Sequence, residues 1–331
     1  TSFFRDPEAF KVLEEWVIPK LLAGRPTGSA IRVWAPGCST GEEAYSLAIL
    51  LAERQEALKQ SFRIQIFATD IDSQAIAAAV ALHLAEKGKL DLNGDVAAYL
   101  RTWMFPPPIP GSKNKITVRQ LLTHSAGLSD QVFDGYSVQE PFPTLPQVLS
   151  GEGPAKNAPV WTDFRPGSRA RASESGYAVL EQILEDVENK PFAAIAKEVV
   201  FDPLDMTNST FEVLRPSGGP ARMSAGHLRE GRIIEGGWSI YPESAAKGLW
   251  TTPSDFAVFF LELLKAATDS SSKVLAPATA RTMLSPQKEN FAFGFSVDGA
   301  VDDINFNIRG KTDGYVCYAI FYPVRGQGAV I

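Results

Sequence analysis

Two short stretches hold residues suited to binding a nucleotide-like ligand. Gly37-Cys-Ser-Thr-Gly41 follows the apolar run Ile31-Arg-Val-Trp-Ala-Pro36 and leads into a helical pattern from Glu42 to about Arg54. Further on, Asp70-Ile-Asp72 closes a second apolar run, Phe62-Arg-Ile-Gln-Ile-Phe-Ala-Thr69. Glycines let a ligand approach the backbone where the amides of a helix start point outward. An acid at the tip of the next strand can accept hydrogen bonds from ribose hydroxyls. The arrangement suits an adenosyl cofactor, although a plain α/β turn with a strand-tip aspartate reads the same on the glycines alone.

Nucleophilic chemistry has several weaker candidates. Gly37-Cys-Ser39-Thr-Gly41 also fits G-x-S-x-G, the strand-turn-helix elbow that exposes a serine in α/β-hydrolases, and this makes Ser39 an esterase candidate. Serine followed three residues later by lysine occurs at Ser112/Lys115, Ser270/Lys273 and Ser285/Lys288, each in a polar, turn-like segment with no long helix to hold both groups over a cleft. The three histidines, His83, His124 and His227, have no metal-ligand spacing, and Cys38 and Cys317 are far apart, so neither a metal nor a disulfide is expected.

The elements that must position these residues alternate strand and helix at first. A helix over 1–23, with Phe10, Leu13, Trp16, Val17, Ile18 and Leu21 on one face, precedes the two strands, and a further helix runs from Ser73 to Lys87 and stops at Gly88. A helical middle follows, and then strand-like runs at Phe291–Val297, Ile304–Ile308, Tyr315–Pro323 and 328–331. Strands at both ends of a helical region predict an α/β fold. A net charge of -6 spread along the chain excludes a basic, nucleic-acid-binding surface. No apolar run reaches the roughly 18 residues that cross a bilayer. No membrane partner and a cytoplasmic location are therefore expected.

The stretch over about 1–75 resembles the S-adenosylmethionine-binding domain of CheR-type chemotaxis-receptor glutamate methyltransferases. The resemblance is carried by Thr1-Ser-Phe-Phe-Arg5, Gly37-Cys-Ser-Thr-Gly-Glu-Glu-Ala-Tyr-Ser46 and Ala68-Thr-Asp-Ile-Asp72. It implies that Thr1 and Arg5 touch the cofactor, Gly37 to Gly41 cradle it, Glu42 or Glu43 lines the site and Asp70 binds the ribose. The implied activity is protein-glutamate O-methyl transfer.

From about residue 75 onward the chain resembles the serine β-lactamase and penicillin-binding-protein-like family of class C type, including its esterases. Leu121-Leu-Thr-His-Ser-Ala-Gly-Leu128, Gly176-Tyr177 and Gly248-Leu-Trp-Thr-Thr-Pro253 carry that likeness. Its chemistry needs a serine with a lysine one helical turn later, a tyrosine that shuttles the proton, and a polar strand motif. Counting from Gly88, these positions hold Ile71 and Gln74. Counting from Gly176 and Gly314, they hold Ala172-Ser173-Glu174 and Ile308-Arg309-Gly310. Nucleophile, amine, phenol and strand head are all replaced, so the expected function is a hydrolase-family protein with acyl transfer absent or residual, either inactive or a ligand-binding or interaction module whose ligand would be a small molecule.

Ser73 and Ser173 are expected to be helix caps or solvated hydroxyls, and His124 to be structural. Trp238, Tyr241, Trp250 and Phe256 are expected in the core or around an aromatic pocket. The implied architecture is a Rossmann-like βαβ segment over 1–75 joined to a β-lactamase-like domain over 76–331, whose mixed sheet is flanked by helices and carries a large helical insertion. The two N-terminal strands are expected to pair with those near 291–331.

Overall fold

A computed structural model describes residues 7–24, 26, 30–34, 42–59, 63–67, 73–105, 115–131, 133–213, 224–228, 232–268 and 271–330. Helix α1 (Pro7–Val12) runs through a π-helical turn, Leu13–Val17, into α2 (Ile18–Leu22). Pro19 explains the π turn, because its ring lacks an N–H and would clash with the carbonyl four residues back in an α register. The turn's extra residue rotates the apolar face. Phe10, Ile18 and Leu22 are buried, but Trp16 and Val17, expected beside them, are exposed. Strand β1 (Ala30–Trp34), α3 (Glu42–Leu58) and β2 (Arg63–Phe67) follow, and β1 pairs with β2 in parallel, Ala30 opposite Arg63 and Trp34 opposite Phe67.

Helix α4 (Gln74–Glu86) packs from every direction: Ala75 to Leu82 are at most 1% exposed. Its run of alanines makes this geometry accessible, since small side chains let neighbouring elements approach the helix axis closely. Gly88, at φ +69°, ends the helix as expected, and Lys89 N–H donates back to the Leu84 carbonyl. Helix α5 (Val118–Leu122) opens with a capping box between Thr117 and Gln120.

Strand β3 (Tyr136–Ser137), α6 (Leu145–Ser150), α7 (Glu174–Glu188) and α8 (Phe192–Ala196) lead to β4 (Ser239–Ile240), which pairs antiparallel with β3. Helices α9 (Ser244–Lys247), α10 (Pro253–Thr268) and α11 (Pro277–Met283) precede the last sheet. That sheet is an antiparallel meander of β5 (Phe291–Ala292), β6 (Phe295–Asp298), β7 (Asn305–Thr312), β8 (Tyr315–Tyr322) and β9 (Gln327–Val330). Along β8, buried and half-buried residues alternate, as expected for a strand with one face on the core. Phe260 of α10 lies 4.6 Å from Phe321 and 6.0 Å from Phe295, joining helix and sheet.

One expectation is corrected. Among the described residues, β1 and β2 form a two-stranded sheet of their own, so the parallel and antiparallel strands do not share one mixed sheet. The reason is geometric. The five antiparallel strands pair with their sequence neighbours through short connections, while β1 and β2 pair with each other across a single helical crossover.

The β5–β6 turn seats the sheet on α4. Gly294 has φ +79°, and a Cβ there would stand 2.7 Å from Ala75 Cα and 3.0 Å from the Gln74 carbonyl. Gly294→Ala is expected to cost about 2–4 kcal/mol from backbone strain plus overpacking. Gly326→Ala, at φ +63° with nothing within 4 Å, is expected to cost about 1 kcal/mol of strain alone. Urea unfolding of both variants measures the difference; equal losses would remove the packing argument.

Candidate functional site

Where the start of α4, the loop 124–131, residues 172–174 and strands β5 to β7 converge, they enclose a cavity of about 540 Å³. Its lining brings together Gln74, Ala172, Ser173 and Ile308, residues distant in sequence that were predicted to share one site. Ile71 lies outside the described residues. None of Gln74, Ala172 and Ile308 offers an amine, a phenol or a titratable head, so the three identified positions contribute an amide and apolar surface. Lys115, Lys273, Ser285 and Lys288 are not among the lining residues.

Ser173 is the N-cap of α7. Its Oγ accepts the Gly176 N–H at 3.3 Å, so its lone pairs serve the helix. The Ser173 N–H donates to His124 Nδ1 at 3.1 Å, which leaves Nδ1 unprotonated and places the hydrogen of the neutral ring on Nε2. Burial lowers the His124 pKa to about 4, against a smaller opposing effect of the Ser173 contact. With φ +54° and its ring against Tyr177 and Phe291, His124 is a structural joint, as expected.

Ser73 departs from expectation. It occupies the N-cap position of α4 but has helical dihedrals and makes no side-chain cap bond. It is fully buried, and its Oγ accepts the Leu249 N–H at 3.0 Å, tying α4 to the Gly-Leu-Trp segment rather than facing solvent.

Charge enters the cavity from Glu174 and Arg309, which the motif spacing placed in their triplets, and from Asp130 and Asp298, which it did not single out. Asp130, Glu174, Asp298 and Arg309 line it. Glu174, at the start of α7, meets Lys247 at the end of α9, with Nζ 3.0 Å from Oε2. Lys247 also donates to the Phe133 carbonyl at 3.1 Å and lies 5.6 Å over the Tyr241 ring. Burial raises the Glu174 carboxyl above its ordinary range, and Lys247 pulls it back.

Behind them Glu243, four residues before Lys247, is 1% exposed, and neither of its carboxylate oxygens has a hydrogen-bond partner. Burial pushes its pKa up to about 8. Nothing in the local sequence marks Lys247 or Glu243, since their surroundings form only when α7, α9 and β3 meet. Lys247, Trp238, Tyr241, Trp250 and Tyr315 line a second, small pocket. Phe256 is fully buried in the core, the other position expected for this group.

The residues expected to touch the cofactor, Thr1, Arg5, Gly37, Gly41 and Asp70, lie outside the described residues, as does Ser39; Glu42 and Glu43 open α3. Among the described residues, no cluster of three or more His, Cys, Asp or Glu could hold a metal ion, and no helix is long and apolar enough to cross a membrane.

Residues 73–331 match the family model described as beta-lactamase, and residues 1–102 match that of the CheR methyltransferase SAM-binding domain. A chemotaxis protein methyltransferase of Borreliella burgdorferi is 41% identical over 73 residues, 22% of this chain and 26% of its own. The chain thus spans about a quarter of the length of that curated relative. A penicillin-binding protein from Bacillus halodurans has a similar structure, with TM-score 0.61 and 20% identity, over 80% of this chain and 79% of that one. A D-stereospecific amidohydrolase from Streptomyces sp. gives TM-score 0.61 and 20% identity over 80% of each chain. At these identities the likeness establishes the fold.

The two titrations pull stability in opposite directions. His124 has a folded pKa below its free value, so the unfolded chain binds more protons between pH 4 and 6.5, and stability falls as pH drops through that window. Glu243 has a folded pKa above its free value, so its contribution is full at low pH and is lost as pH rises toward 8. Urea unfolding across pH 6.5–8 is expected to show a decline of about 2 kcal/mol in the parent protein that Glu243→Gln abolishes. A slope unchanged in the variant would contradict this assignment.

Proposed function

We propose, from the premise that the chain belongs to the beta-lactamase family over residues 73–331, that its cleft binds a small molecule and does not perform acyl transfer. The observation that carries this reading is the convergence of Gln74, Ala172 and Ile308 on one cavity. Acylation of a serine needs a base that takes the hydroxyl proton and an acid that returns it to the leaving group. A glutamine amide has no basic lone pair at neutral pH, and alanine and isoleucine transfer no proton. The sequence also places Ile71 one turn before Gln74, where the attacking hydroxyl would stand. Loss of a nucleophile and its base costs several powers of ten in rate, about 10⁶-fold in the best-measured serine enzyme.

The cleft remains suited to binding. Amide, carboxylate and guanidinium groups stand around its wall, with the Phe291 and Phe295 rings beside them. The experiment is incubation with a fluorescent penicillin and with a p-nitrophenyl ester, followed by intact-protein mass spectrometry. The expected result is no covalent adduct, and an adduct on any serine would overturn the proposal. Ile71→Ser combined with Gln74→Lys is expected to gain an acyl adduct at position 71.

A second reading is favoured by the parallel β1–α3–β2 unit, in which Trp34 and Phe67 end their strands side by side. Ligands of open parallel sheets bind beyond the carboxyl ends of the strands. There Gly37 to Gly41, Glu42 or Glu43 and Asp70, with Thr1 and Arg5, would hold S-adenosylmethionine, and Asp70 would accept from the ribose hydroxyls. When bound, that cofactor supplies a methyl group for transfer to a protein carboxylate. Calorimetric titration is expected to show saturable binding that Asp70→Ala weakens about tenfold or more. Absence of heat with the parent protein removes this reading.

A further inference from the structure

The charge arrangement around Glu174 carries the binding reading further. Asp130, Glu174 and Asp298 face the cavity against one guanidinium, Arg309, and the buried His124 ring there is neutral at physiological pH. The Asp298 carboxylate already accepts from Asn307 Nδ2 at 2.9 Å. The Glu174 carboxylate is held by a cation from within the protein, Lys247, whose side chain is 10% exposed. Asp130 acts on the same carboxyl from the cavity side.

The second observation is Glu243. A carboxyl buried with both oxygens unpartnered costs free energy unless it serves something. The charged and titratable groups that act on it or on its neighbours are Lys247 on its own helix, Glu174 and Glu181 on α7 and Tyr136 on β3. Glu181 is satisfied by Ser244 Oγ at 2.6 Å and the Ala245 N–H at 2.8 Å, and the Tyr136 hydroxyl accepts the Lys156 N–H at 3.0 Å. Lys247 is the cation available to Glu243, which is thus a vacant second seat for the ammonium that now holds Glu174.

We propose that the cleft takes an organic amine, whose ammonium replaces Lys247 on Glu174 while Lys247 passes to Glu243. This rests on the binding reading above and names its ligand class. The exchange balances: the ligand's ammonium gains the Glu174 carboxylate, Asp130 adds attraction, and Glu243 gives its proton to solvent as it receives Lys247. Ion pairing is conserved, with one carboxylate gained for one cation brought in. The uncharged body of the amine lies against Phe291 and Phe295, within hydrogen-bonding reach of the amides that ring the cavity.

Three probes of matched size test the idea: benzylamine, benzyl alcohol and benzoate, each titrated calorimetrically into the full chain at neutral pH. Benzylamine is expected to bind about tenfold more tightly than the alcohol, with benzoate weakest. Repeating the amine titration in two buffers of different ionisation heat is expected to reveal about one proton released per ligand bound, and Glu243→Gln is expected to abolish that release. Glu174→Gln is expected to erase the preference for the amine; should that variant unfold, Asp130→Asn is expected to narrow the preference while the chain stays folded. Equal affinity for amine and alcohol, no binding of the amine, or binding without proton release would each overturn the proposal. The penicillin adduct experiment is independent of these outcomes, so failure of one reading is distinguishable from failure of the other.

Discussion

Burial of α4 on every side is the constraint on which the rest of the structure depends. Residues 75–82 are almost wholly enclosed, and alanine at five of those eight positions lets sheet, α7 and α9 approach together. Ser73 extends the same contact, its hydroxyl receiving the Leu249 N–H. Gly294 meets the helix from the other side, at a distance where even a methyl group would press on Ala75 and Gln74. The first turn of α4 is fixed by this packing, so Gln74 stands at the edge of the cavity whatever chemistry it carries. A catalytic framework and its chemistry are therefore separable here. The framework rests on close packing, while any chemistry rests on the few side chains at the cavity wall, among them the Gln74 amide and the apolar Ala172 and Ile308.

The charges beside this cavity form a balance of their own. Lys247 arrives from α9, outside the positions that the family's pattern would supply, and pairs with Glu174 at the start of α7. Two further buried acids, Glu181 and Glu243, crowd the same helix junction. Glu181 is fully hydrogen-bonded and Glu243 is not, although both carboxyls are pushed upward by burial. The asymmetry matters because a satisfied neutral acid is inert, whereas an unsatisfied one beside a lysine can change the lysine's allegiance. The small pocket of Trp238, Tyr241, Trp250 and Tyr315 shares Lys247 with this junction, so the ion pair lies between two concave surfaces.

The N-terminal segment is organised differently. Its α1–α2 helix packs on α3 through Phe10, Ile18, Leu22, Leu50 and Leu51, and its two strands pair only with each other among the described residues. The parallel pairing follows from the helical crossover, which returns the chain in the same direction. The π turn before Pro19 keeps Phe10, Leu13, Ile18, Leu21 and Leu22 in one cluster and leaves Trp16 and Val17 outside.

The helix of Gln74–Glu86, its stop at Gly88, the parallel βαβ unit and the C-terminal strands were all legible in the sequence. Their signals are local: hydrophobic period, a glycine able to take a positive φ, and apolar runs bounded by turns. The gathering of Gln74, Ala172 and Ile308 was legible too, because motif spacing fixes register within each element. Which sheet each strand joins, the burial of Ser73, and the meeting of Glu174, Lys247 and Glu243 were decided only by the tertiary structure. Those outcomes depend on distances between elements far apart in the chain. A charge, unlike a helical period, leaves no trace in its neighbours of the partner it will find.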